Sequence, residues 1–157
     1  MGPGSSWRCL PIAAADMTLD ATSPERRTFD AVPASARAAR RYVTDLLRLD
    51  GAPAAVISDY SLVVSELVTN VIEHTGGAHL EVALELGDPL WWRLEVVGSA
   101  PTASKQLSAP ETWVVAGAND VSGRGLGIVR QLMDEVAIST VDDRVTVTCR
   151  RRRSDSR

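Results

Sequence analysis

Residues 65–77 read SELVTNVIEHTGG, and this stretch constrains the fold more tightly than any other part of the chain. Its polar residues come in adjacent pairs four apart: Ser65 and Glu66, Thr69 and Asn70, Glu73 and His74. Leu67, Val68, Val71 and Ile72 lie between them, and Leu62, Val63 and Val64 continue the apolar set upstream. Residues three and four apart share a helix face, so Glu66, Asn70 and His74 form one polar stripe beside an apolar one. Alone, the stripe is equally well the solvated face of an amphipathic helix or a functional one. In the second case a carboxylate and an amide stand one turn apart, able to orient a nucleophile and hold a metal ion. A motif further along the chain decides between the two.

A chain of 157 residues suits one domain that buries roughly two-thirds of its unfolded surface. Hydrophobic content of 45% and charged content of 24% are ordinary globular values, which excludes wholesale disorder. A net charge of −3 gives no general electrostatic reason to bind nucleic acid or an anionic membrane, and neither is expected as a direct partner. The basic run at 150–153 reads as a solvated tail. Cys9 and Cys149 do not make a disulfide framework; the first reads as a flexible thiol and the second as a strand residue. No apolar run approaches the ~20 residues of a membrane span. The PIAAA run is too short for a signal-peptide core and has no basic run before it, so a cytoplasmic protein is expected.

Residues 1–24 are rich in Gly, Pro, Ser and Ala without periodicity and read as a disordered leader, with Met17 an alternative first residue and Trp7 given no role. The domain proper is expected over 25–150, with a basic disordered tail over 151–157. Residues 26–32 read as a strand with Phe29 buried. Pro33 opens a helix over about 34–49 that Gly51 ends, its apolar face being Ala36, Ala39, Val43, Leu46 and Leu47 and its arginines in solvent. Pro53 starts the next helix, about 33 Å long at ~1.5 Å per residue, and the Thr-Gly-Gly at 75–77 stops it. Strands follow at 79–86 and 91–97, joined by Gly87-Asp88-Pro89. Residues 98–122 lose the pattern and read as a long loop of the kind that serves as a lid, with a short helix at 113–115 to anchor it. A helix opens after Gly123, Gly125 and Gly127, and strands at 136–140 and 144–150 flank an Asp142-Asp143 turn. Helices grouped against such a sheet make an α/β two-layer sandwich, mostly antiparallel and covered by helices on one face.

Alternating glycines at a helix start let the backbone approach an anion and aim N–H groups at it, with the helix dipole adding favourable potential. A lone GxGxG is weak evidence, since tight turns produce it too. No Lys-Ser/Thr follows, so it is no Walker loop, and it does not follow a first strand as a dinucleotide fingerprint does.

The combination is specific. An E-x-x-x-N helix, two strands, a loose loop and GRGLG opening a helix resembles the GHKL ATPase superfamily, the Bergerat fold. The ELVTNVIEH and GRGLGI strings are most similar to the RsbW/SpoIIAB-type anti-sigma-factor serine kinases, over about 25–150. The resemblance implies that Asn70 coordinates Mg²⁺ bridging the phosphates of ATP, a role that needs few protein ligands. It implies that Glu66 is the general base for the attacking serine hydroxyl, and that Gly123, Arg124, Gly125, Leu126 and Gly127 wrap the phosphates. His74 and Glu73 lie toward the nucleotide edge as supporting groups. Phosphoryl transfer of this kind is mostly positioning and charge stabilisation. The implied acceptor is a serine on an anti-anti-sigma (STAS-domain) protein. The implied second partner is a sigma factor, held by a homodimer and kept from RNA polymerase.

The chain departs from the pattern at one place. After the second strand of the pair the family has an aspartate that accepts a hydrogen bond from the adenine amino group, and here the string EVVGSAP puts Gly98 there. Losing a charge-assisted hydrogen bond of ~1.5–3 kcal/mol weakens ATP about 10- to 100-fold, with Ser99 or a water taking over part of the contact. Restoring Asp at 98 is then expected to tighten ATP. The runner-up reading is a nucleotide-independent anti-sigma or partner-binding module with a degenerate ATP site. A sensor histidine kinase domain is a weaker reading, because no phospho-acceptor helix pair precedes the motifs and the lid is short. Coincidental motifs on a plain α/β domain make the last.

Overall fold

The computed structural model describes residues 23–99 and 124–153. Its elements run β1 (Glu25–Asp30), α1 (Ser35–Leu49), α2 (Ala54–Thr75), β2 (His79–Glu85), β3 (Trp91–Ser99), α3 (Arg124–Leu132), β4 (Glu135–Val141) and β5 (Arg144–Arg152). The strands form one sheet in the order β1-β2-β3-β5-β4, every neighbouring pair antiparallel. The expected two-layer sandwich is the fold observed. Strand β3 takes in Gly98 and Ser99, which were expected in the lid loop; residues 1–22 of the expected leader, the rest of the expected loop with the helix expected at 113–115, and Gly123 lie outside the described residues.

Register gives the sheet its two faces. Leu80 pairs with Gly98 and Gly98 with Val145; Val82, Val96 and Val147 make the next row, and Leu84, Leu94 and Cys149 the third. These rows are buried beneath the helices. Residues of the opposite parity carry charge: Arg26 pairs with Glu81 at 2.9 Å, Arg93 with Glu95 at 2.6 Å and Arg144 with Glu81 at 3.2 Å. Alternation of period two therefore sets an apolar face against the helices and an ion-paired face toward water.

The helices end where the sequence says they must. Gly51 follows α1 with φ +75°, and Gly76 caps α2 with φ +63°, a conformation in which a Cβ is strained. The β4–β5 hairpin turns through Asp142 and Asp143, both at positive φ, as a two-residue primed turn needs. Asp88 Oδ1 accepts from the Leu90 and Trp91 amides at 2.7 and 3.2 Å and fixes the β2–β3 turn.

The central element is α2. By length and composition it would pass for a membrane span, its most apolar window having a mean hydropathy of 1.4, although no such run was expected from the sequence. Its packing identifies it as the core helix: Tyr60, Val63, Val64, Leu67, Val68 and Val71 are all buried. The Tyr60 hydroxyl donates to the Trp92 carbonyl at 2.7 Å, and burial holds its pKa well above the usual tyrosine value. Cys149 is a free, buried thiol on β5, as expected of a strand cysteine.

The chain end departs from expectation. The strand β5 runs through Arg152, beyond the expected domain limit, and the arginines are not a solvated tail. Arg150 pairs with Glu135, Arg151 with Asp59 of α2, and Arg153 with Asp50 at 2.9 Å. Arg153 Nη2 also donates to the Leu86 carbonyl at 2.6 Å, and its guanidinium lies 4.8 Å from the centre of the Trp92 ring. Sequence shows a run of like charges; only the fold supplies three separate acidic partners.

Candidate active site

The residues singled out by sequence gather along the C-terminal half of α2. Glu66, Asn70 and His74 lie at successive turns and are half-buried, whereas Glu73 is exposed. The apolar stripe beside them, Leu67, Val71 and Thr75, faces the sheet and is buried.

Glu66 meets α3. A Cβ built on Gly125 would lie 2.0 Å from Glu66 Oε2, 2.8 Å from Cδ and 3.3 Å from Cβ. The carboxylate thus rests against the backbone of the first turn of α3, at a distance that only glycine permits. The glycines differ from the expected loop leading into a helix: α3 starts at Arg124, so Gly125, Leu126 and Gly127 are already its first turn. Leu126 packs against the core and Gly127 is buried, with Val129 and Met133 carrying the same face inward. A helix start presents unpaired N–H groups and the positive end of the helix dipole. A carboxylate and an anion-favouring backbone therefore stand in contact.

Asn70 offers one amide oxygen, and among the described residues there is no group of three His, Cys, Asp or Glu that could hold a metal. That donor set suits Mg²⁺ carried in by phosphates and completed by water. The phosphate end of the site therefore fits Mg·ATP. The base end does not fit the expected adenine contact. Gly98 is buried near the end of β3, and a Cβ there would lie 2.5 Å from Val71 Cγ1, 3.0 Å from Thr75 Oγ1 and 3.2 Å from Thr75 Cγ2. Ser99 is exposed, and its carbonyl oxygen would be 3.0 Å from a Cβ on Gly77. Val71, Thr75 and Gly77 were missed by sequence reasoning, which counted them as apolar filler and a helix stop.

Elsewhere a groove of about 620 Å³ opens between α1 and the first turns of α2, lined by Arg37, Arg40, Arg41, Arg48, Ser58 and Ser61 among others. The arginines assigned to solvent thus share one wall. The groove's lining on α2 ends at Ser61, more than one turn before Glu66, and includes none of the residues of the site above.

The chain belongs to the histidine kinase-like ATPase domain family, whose model matches residues 29–151. Membership of an ATPase family implies nucleotide binding. Among solved structures, the RsbU and RsbW domains of Rv1364c from Mycobacterium tuberculosis match with a TM-score of 0.57 at 23% identity, over 85% of this chain and 34% of that one. The SiaB-SiaC complex from Pseudomonas aeruginosa matches with a TM-score of 0.56 at 14% identity, over 82% of this chain and 89% of that one. This chain spans about a third of the first of these, and at such identities the likeness is one of fold. No curated protein sequence matches the chain.

Proposed function

We propose that this protein is an ATP-dependent serine kinase of the RsbW/SpoIIAB type, which phosphorylates an anti-anti-sigma STAS protein and sequesters a sigma factor. The observation that carries the reading is the seat of the Glu66 carboxylate against Gly125. In this role Glu66 accepts the proton of the attacking serine hydroxyl, while the packing of α2 against α3 fixes its position. The first-turn amides of α3 would stabilise negative charge on the transferred group, and Asn70 would supply an oxygen to the accompanying Mg²⁺. Bound Mg·ATP would supply the phosphoryl group. His74, one turn beyond Asn70, would support the nucleotide edge of the site. The protein works as a cytoplasmic homodimer. Partner exchange is supported by the solved structures of like fold, one a SiaB-SiaC complex and the other an RsbW domain joined to an RsbU domain.

Transfer of labelled phosphate from ATP to a candidate STAS protein tests the reading. Glu66→Ala is expected to abolish transfer and leave ATP binding largely intact; undiminished transfer would remove Glu66 from the chemistry.

A second reading, the nucleotide-independent anti-sigma module, is favoured by the contact of Gly98 with Val71 and Thr75. Under it, partner binding is the same with and without Mg·ATP.

A further inference from the structure

Gly98 reads in sequence as an aspartate that was lost, leaving a vacancy. The packing says otherwise. Its φ is not in the left-handed region, where among the described glycines only Gly51 and Gly76 lie, so the backbone there would accept a side chain. The obstacle is steric. The last turn of α2 sits directly on β3, with Val71 1% and Thr75 4% exposed and the Thr75 hydroxyl tied to the Val71 carbonyl at 2.6 Å. The first atom of any side chain at 98 would come within 2.5 Å of Val71 Cγ1, closer than real Cβ contacts come. Val71 cannot swing away, because a β-branched residue in a helix has essentially one rotamer and its neighbours are close-packed. Two residues beyond Thr75, Gly77 makes the matching close approach to the backbone of Ser99. Two glycines, on facing segments, let the end of α2 and the turn after it press onto the end of β3.

We infer that Val71 and Thr75 occupy the space from which a side chain at 98 would read adenine, so that the site holds a nucleoside triphosphate by its phosphates and does not select its base. This rests on the reading of the Glu66–Gly125 region as a triphosphate site. A carboxylate favours the 6-amino group of adenine and repels the 6-oxo group of guanine; a glycine backed by two methyl-bearing side chains does neither. Val71 and Gly98 are one unit, and the expectation that Asp at 98 alone would tighten ATP is corrected: the single substitution meets Val71 first.

The test combines melting without nucleotide and calorimetric titration with Mg·ATP and Mg·GTP. Gly98→Ala adds only the colliding Cβ at a position whose backbone tolerates it. It is expected to lower the melting midpoint, and Val71→Ala/Gly98→Ala to lower it by less than the two single effects added. The wild type is expected to bind Mg·ATP and Mg·GTP within about threefold of each other. Val71→Ala/Gly98→Asp is expected to favour ATP by about 10-fold or more, the worth of a charge-assisted hydrogen bond. A Gly98→Ala protein that melts with the wild type would overturn the packing claim. A wild-type preference for ATP of tenfold or more would overturn the selectivity claim, whether or not the aspartate variant folds. If the wild type binds neither triphosphate, the triphosphate-site reading itself fails and the selectivity claim falls with it, a result distinct from tight, selective ATP binding.

Discussion

Gly125→Ala separates chemistry from stability in this protein. The new Cβ would stand 2.0 Å from Glu66 Oε2 and 2.8 Å from its Cδ, an overlap of more than about 1 Å that cannot persist. The backbones of α2 and α3 are held by Leu67, Val68 and Val129, all buried, so the flexible carboxylate yields and turns away. Pushing Glu66 off its preferred rotamer costs about 0.5–1.5 kcal/mol. Alanine in place of glycine in a helix returns up to about 1 kcal/mol. The two nearly cancel, and the melting midpoint should move by only a few degrees. Activity should not survive, because a displaced general base forfeits about 10²–10⁴ in rate. The assay pairs a thermal melt with phosphate transfer from ATP under saturating nucleotide. Transfer within about threefold of wild type would refute the placement of Glu66 as the base. A loss of several kcal/mol would show instead that the side chain cannot yield and that Gly125 is a packing requirement.

Arg153→Ala should cost about 1–3 kcal/mol in urea unfolding, because it strips Asp50 and the Leu86 carbonyl of a charged donor; a change within about 0.5 kcal/mol would restore the solvated-tail reading. Burial pushes the Cys149 thiol up from its usual 9.0 to about 12. The unfolded chain then releases this proton before the native one does, so stability contributed by the protonated thiol is intact below pH 9 and lost as pH rises from 9 toward 12. Cys149→Ala should flatten that part of the stability–pH curve, and an unchanged slope would assign it to other groups. In a Cys9→Ser background, labelling of Cys149 near neutral pH should run no faster than opening of the sheet, and rapid labelling would contradict its burial.

Much of the fold was legible in the sequence because its signals are local. The four-residue spacing in SELVTNVIEHTGG, the glycines after α1 and α2 and the period-two strands each act over a few residues, and each element formed where they pointed. The start of α3 was less legible. Glycines at 125 and 127 weaken a helix locally, and what sustains it is tertiary: Val129 and Met133 in the core and the fit of Gly125 to Glu66. The arginines at 150, 151 and 153 look alike in sequence and differ in the acid each one meets. Gly98 was hardest to read. A missing side chain shows in sequence as a loss, and whether its space is vacant or filled depends on a helix 23 or more positions earlier in the chain, at Thr75 and Val71.

The most direct test of the account is a calorimetric titration of the purified protein with Mg·ATP. A fold and a phosphate end that fit a triphosphate predict saturable, one-site binding, weakened by the missing adenine contact but complete well below millimolar nucleotide. No detectable binding up to millimolar Mg·ATP would contradict the kinase and leave a partner-binding module that keeps the fold without the nucleotide.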